Sequence, residues 1–139
     1  MNSLKELSNM SGCYTVITGG TGNLGAVIAE TFAELGSYLI VVDQKGSNFS
    51  KLESKLRNAW SAKSTFIECD LEHEKDRKKT LQKIKSKFDK IHCLVNNAAF
   101  VGSTQLNGWN SPFEKQSLAT WRRATEVNLT APFHFSQGL

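Results

Sequence analysis

One junction restricts the fold of this chain more than any other. An apolar run, Tyr14 to Ile17, leads into Thr18-Gly19-Gly20-Thr21-Gly22-Asn23-Leu24-Gly25, and a helix-like run from Leu24 to Leu35 follows directly. Glycines in such a turn let the backbone bend sharply and approach a ligand closely. The helix start adds unpaired amide groups and a partial positive charge. A strand, a glycine turn and a helix in that order therefore suit a pyrophosphate. The junction is expected to hold a dinucleotide.

Strand and helix patterns alternate from that point on. Tyr38 to Val42 is a β-branched run too short for a helix, and Gly36 before it ends the preceding one. Ser50 to Trp60 reads as a helix capped by Ser47 or Asn48, Thr65 to Cys69 as a strand, and Glu72 to Phe88 as a helix. Ile91 to Val95 is a fourth strand. Phe100 to Gln116 has no clear period and is expected to be a loop bordering the ligand pocket or a surface insertion. Ser117 is expected to cap a last helix toward Gln137, kinked or ended by Pro132. Near-continuous apolar strands between helices imply an α/β fold, a doubly wound parallel sheet of about four strands and four helices. Residues 1–13 are expected to form a polar arm and 14–139 one domain.

The net charge of +4 suggests nucleic acid until it is located. His73 to Lys90 holds eight Lys/Arg and three Asp/Glu, whereas the rest holds nine and ten. Leu81, Ile84 and Phe88 in that segment lie on one helix face, so its lysines read as the solvated outer face of an amphipathic helix. No nucleic-acid partner is expected. No apolar run approaches the roughly 20 residues that span a bilayer, and no secretory pattern precedes the first strand. Cys13, Cys69 and Cys93 are an odd set without metal-like spacing. They are expected to be buried reduced thiols in a cytoplasmic protein.

Two further groups point to the same ligand. Asp43 ends the second strand, 18 residues after Gly25. A carboxylate there can accept from both ribose hydroxyls of an adenosine and repels a 2′-phosphate, which favours NAD over NADP. Lys45 nearby softens that preference. Asn96, Asn97, Ala98 and Ala99 end the fourth strand at the carboxyl edge of the sheet, where ligands bind in such folds. The Asn side chains can tie loops together, and the alanines leave room for a ribose. Asn128 lies mid-helix, a mildly unfavourable place for Asn.

With these residues in view, the chain resembles the short-chain dehydrogenase/reductase family. The resemblance rests on the TGGTGNLG turn, Asp70-Leu71 after the third strand, NNAA after the fourth, and WRRATEVNLTAPF from Trp121 to Phe133. It implies a Rossmann-type sheet of order 3-2-1-4, incomplete here, and hydride transfer between nicotinamide and a secondary alcohol or ketone. It also implies roles. Thr18, Gly19, Gly20, Thr21, Gly22, Asn23, Leu24 and Gly25 would cradle the pyrophosphate. Asp43 would take the adenosine ribose, Asp70 and Leu71 the adenine, and Asn96, Asn97 and Ala98 the ribose region. Asn128 would join a proton relay.

The glycine spacing departs from the family's oxidoreductases, because Gly22 falls one residue early and Asn23 replaces a glycine. That spacing is similar to extended members acting on nucleotide sugars, whereas NNAA is not. A sugar-like substrate is one expectation, and an extended-type epimerase or dehydratase is an alternative. The family's serine and its Tyr-x-x-x-Lys pair are missing, since Tyr14 and Tyr38 lack a Lys four residues on. The chain is thus expected to be the amino-terminal, cofactor-binding part of an enzyme, inactive alone, with an exposed sheet edge that makes it prone to associate. A non-catalytic nucleotide-binding module or remnant is the second alternative. Full-length family members often form dimers or tetramers, so the resemblance implies a homo-oligomer.

Overall fold

The computed structural model describes residues 3–100 and 108–139. Four parallel strands form one sheet in the order β3-β2-β1-β4: β1 is Tyr14–Thr18, β2 Tyr38–Asp43, β3 Ser64–Glu68 and β4 Cys93–Asn96. Helix α1 (Leu4–Leu7) is a single turn. Helices α2 (Asn23–Glu34) and α3 (Phe49–Trp60) pack on one face of the sheet, and α4 (Glu74–Lys87) packs on the other. The chain ends in a long broken helix: α5 (Leu118–Thr125), a π-helical turn (Glu126–Thr130) and α6 (Ala131–Gly138). This is the doubly wound parallel sheet and strand order that the sequence implied.

The strands read as continuous apolar runs because both faces are covered. Leu39, Ile40, Val41 and Val42 of β2 are all fully buried. Alternate residues feed two cores. Ile40 and Val42 meet Leu81, Ile84 and Phe135, while Leu39 and Val41 meet Ala29, Ala33, Leu52 and Leu56. Each such aliphatic side chain contributes about 1.5–3 kcal/mol when withdrawn from water. The lysine-rich α4 turns Leu81 and Ile84 inward, with Phe88 just after its end, as its spacing implied. Lys75, Lys78, Lys79, Lys83, Lys85 and Lys87 are exposed. Among the described residues, no helix is long and apolar enough to cross a membrane.

Several expected boundaries shift for local reasons. Asn48, not Ser47, caps α3 by accepting from the Lys51 amide at 3.2 Å. Strand β4 starts at Cys93 instead of Ile91. The His92 ring accepts the Tyr14 amide at 3.1 Å through Nδ1, so an imidazole stands where a ladder carbonyl would. Ser117 does cap α5, accepting from the Thr120 amide. Pro132 does not end the last helix; it sits at the start of α6, just after the π turn that breaks it. Proline has no N–H for the carbonyl four residues back. Just before it, the Ala131 amide reaches to Glu126, a five-residue step that makes the π turn. The expected loop after Phe100 contains a 3-10 turn at Phe113–Lys115, and residues 101–107 of it lie outside the described residues. Only Cys69 of the three cysteines is buried; Cys13 and Cys93 are half-buried.

Candidate functional site

The order 3-2-1-4 sends the chain to opposite sides of β1. It leaves β1 through α2 toward β2, and returns through α4 to β4 on the other flank. The helices diverge at the carboxyl ends of β1 and β4 and open a crevice there. A cleft of about 600 Å³ occupies it. Gly19, Thr21, Gly22, Asn23, Leu24 and Gly25 line it, with Asn97 and Ala98 packed directly against this turn and Asp43, Asp70, Leu71, Ala99 and Phe100 also in the lining.

At two positions of the turn a Cβ would run into neighbouring backbone. Gly19 has φ +64°, and a Cβ there would stand 2.8 Å from the Ala98 Cα. A Cβ on Gly25 would stand 2.1 Å from the Gly19 carbonyl and 2.8 Å from the Asn97 amide nitrogen. The helix start thus presses directly onto the strand end. Gly22 differs: its φ is −68°, and a Cβ would meet only the Gly19 carbonyl at 3.3 Å. Packing does not demand the early glycine that resembles the extended members. No side chain caps α2, and no acidic residue sits in its first turn. Its leading amides and helix dipole remain available to an anion. That backbone cradle fits a pyrophosphate.

Asn97 locks the turn from the opposite strand. Its side-chain amide donates to the carbonyls of Thr18 at 3.1 Å and Gly19 at 3.0 Å. The amides of Asn97 and Ala98 both donate to the Thr18 hydroxyl at 3.2 Å. Thr18 is therefore a buried brace beneath the cleft. Gly20 is also buried, against Val41. Asn96 bonds Ser136 of α6 at 3.3 Å and lines a small crevice behind the cleft with Thr18, Pro132 and Phe135. These three expected residues support the cleft without appearing in its lining.

Asp43 is already engaged. Its Oδ2 accepts the Thr21 amide at 2.9 Å and the Thr21 hydroxyl at 2.6 Å, and its Oδ1 accepts the Gln44 amide at 2.8 Å. A carboxylate has about four acceptor positions, so these bonds leave room for one ribose hydroxyl where the sequence reading expected two. Asp70 accepts the Glu72 amide at 3.0 Å and lies 3.1 Å from His73 Nδ1. Asn128 sits in the π turn and not in a regular helix. It pairs with the Phe100 backbone, accepting its amide at 2.6 Å and donating to its carbonyl at 3.2 Å. It fastens the chain leaving β4 and does not line the cleft.

The cleft also contains residues that sequence reading missed. Val127 precedes Asn128 and lies in the same motif, so it was within reach. Glu72 and Arg123 form a rim ion pair between the β3–α4 loop and α5, and the Arg123 guanidinium lies 5.3 Å from the Phe100 ring centre. The hydrogen bond that Arg123 donates to Glu72 raises the Arg123 pKa. Cys69, also in the lining, has its thiol pushed up chiefly by burial, with a bond from Thr80 opposing the shift. Arg123 lies in the same motif as Val127, but by itself it reads as an ordinary helix-surface residue. Among the described residues, every buried side-chain polar atom has a partner.

Comparison with known proteins agrees with this geometry. The family profile described as short chain dehydrogenase matches residues 14–139. The chain is 30% identical over 128 residues to the 3-oxoacyl-acyl-carrier-protein reductase of Aquifex aeolicus, covering 92% of this chain and 49% of that protein. Among solved structures, the NADPH-dependent 3-quinuclidinone reductase of Rhodotorula rubra superposes with a TM-score of 0.84 at 24% identity, over 99% of this chain and 50% of that one. An NAD+-bound xylitol dehydrogenase superposes with a TM-score of 0.79 at 25% identity, over 93% of this chain and 47% of the other. The chain thus spans about half the length of the relatives it matches.

Proposed function

Because this chain belongs to the short-chain dehydrogenase/reductase family, we propose that it is the cofactor-binding portion of an oxidoreductase that prefers NAD. The reaction is hydride transfer between the cofactor and a secondary alcohol or ketone. The single observation that carries this reading is the backbone cradle at Gly19 and Gly25, closed by Asn97 and open to an anion at the start of α2. Its residues divide the work. The α2 amides hold the pyrophosphate. Asp43 accepts one adenosine hydroxyl, and its charge works against a 2′-phosphate. Asp70 and Leu71 flank the adenine, and Ala98 and Ala99 leave space for the second ribose. Asn128, oriented by its two bonds to Phe100, serves the proton relay that the family resemblance implies. The nicotinamide, when bound, supplies the hydride acceptor or donor.

The substrate is a small molecule, and a polyol or sugar-like alcohol is the class we favour, in line with the likeness to xylitol dehydrogenase. Residues 14–139 act as the binding domain and residues 1–13 as an arm, in a cytoplasmic homo-oligomer. The test is calorimetry on the full-length protein with NAD+ and NADP+. Wild type should bind NAD+ more tightly, and Asp43→Ser should move the ratio toward NADP+ by about tenfold, the value of roughly 1.4 kcal/mol. A wild type that prefers NADP+, or an unmoved ratio in the variant, would refute the NAD assignment. Absence of heat with both nucleotides would refute cofactor binding itself.

A further inference from the structure

We infer that Arg77 is a positioning residue that ties the loop carrying Asp70 and Leu71, at the adenine end of the cleft, to the π turn. The inference rests on the dinucleotide reading above. Arg77 lies on α4 but points inward; it is 2% exposed, in a helix whose other basic side chains face solvent. Its guanidinium makes three bonds to three parts of the chain. One nitrogen donates to the Leu71 carbonyl at 2.5 Å, a second to Glu126 Oε2 at 3.0 Å, and Nε to His134 Nδ1 at 3.3 Å.

Each bond fixes something the cleft uses. The Leu71 carbonyl belongs to the Leu71–Glu72 peptide, whose amide donates to Asp70. Arg77 and Asp70 therefore hold that one peptide by its two ends, and Leu71 lines the cleft on it. Glu126 opens the π turn, and Val127 beside it also lines the cleft. His134, on α6, holds the far end of the same broken helix. A planar fork with donors in fixed directions can serve three such acceptors at once; a lysine ammonium offers a single point charge. Burying this charge is tolerable because each of the three guanidinium nitrogens has an acceptor, two of them on groups that also shape the cleft. The position of Leu71 at the adenine end is then set by a side chain that never touches the ligand.

The experiment is calorimetry on the full-length protein with two test ligands, AMP and nicotinamide mononucleotide. Arg77→Lys should weaken AMP by about tenfold, the scale of one charge-assisted bond. Nicotinamide mononucleotide should stay within about twofold. Glu126→Ala, which removes one bond from a half-exposed partner, should weaken AMP by about threefold, and Glu126→Gln, which keeps an acceptor, should restore it to within about twofold. AMP affinity unchanged in both Arg77→Lys and Glu126→Ala overturns the inference. So does an equal loss for both ligands, which marks general loosening. If Arg77→Lys does not fold, the Glu126 pair decides alone. A wild type that binds neither ligand is a separate result: it defeats the cofactor reading on which this inference depends.

Discussion

The two walls of the cleft are built from different materials. The wall formed by the glycine turn is backbone: carbonyls and amides held by Asn97, with glycines where a Cβ has no room. The facing rim, from the β3–α4 loop to α5 and the π turn, is held by charged side chains, through Arg77 with Glu126 and Arg123 with Glu72. Backbone geometry tolerates almost no substitution and no adjustment. The half-exposed Arg123–Glu72 pair can loosen, shift or be replaced at modest cost, whereas the buried Arg77 depends on its partners. The first wall suits the invariant part of a dinucleotide, and the second is where affinity can be tuned.

Substitutions should separate the walls by size of effect. Gly25→Ala forces a Cβ against the Gly19 carbonyl and should cost about 3 kcal/mol or more, because backbone on both sides must move. Gly22→Ala should stay within about 0.5 kcal/mol in the same thermal melts. Equal effects at the two glycines would erase the contrast within the turn. Asn97→Ala comes next. It strips a donor from two carbonyls at once, and chemical denaturation should show a loss of about 1–3 kcal/mol. On the facing rim, Glu72→Ala breaks an ion pair whose Arg123 side is half exposed. The expected loss is about 0.2–1 kcal/mol, fading with added salt. A loss as large as that of Asn97→Ala would show that the rim is as rigid as the turn.

The smallest effect concerns the cleft lining at Cys69. Burial raises its pKa above the ordinary value of 9.0. A folded-state pKa above the unfolded one means that the unfolded chain loses its proton first as pH rises. The contribution of this thiol is therefore intact below about pH 9 and declines as pH climbs from there toward the folded value. Stability measured from pH 8 to 10 should fall more steeply in wild type than in Cys69→Ala. Identical slopes would show that Cys69 is not shielded.

The same contrast explains what could be read from sequence. Glycine turns, strand ends and the Asn97 lock follow from local constraints that leave a residue-level mark, so Gly19, Gly25 and Asn97 were legible. The parallel sheet was legible as well, because continuous apolar strands alternate with helices, while its strand order came only with the family resemblance. Arg77 was not, although its segment was assigned to the right helix with the right buried face. It sits one turn before Leu81, and only tertiary contacts with Glu126 and His134, 49 and 57 residues away, turn a basic residue inward. The engagement of Asp43 by Thr21 was likewise invisible, since neither residue signals that the other satisfies it. Pro132 was seen as an irregularity, but the π turn it accompanies depends on where the displaced hydrogen bond goes.

The register between β1 and β4 carries a kinetic consequence. Asn97 reaches Thr18 across 79 positions of chain, and Thr15 pairs with Cys93 over a similar span. Closing so long a loop is entropically slow and comes after local helices have formed. The crevice therefore forms only once β4 has docked, and a newly made chain lacks part of its lining until residues as far as Val127 have emerged. Nucleotide added to a refolding reaction should leave the forward rate unchanged and slow only the return to the unfolded state. Acceleration of the forward step in stopped-flow fluorescence would mean that the crevice is assembled early instead.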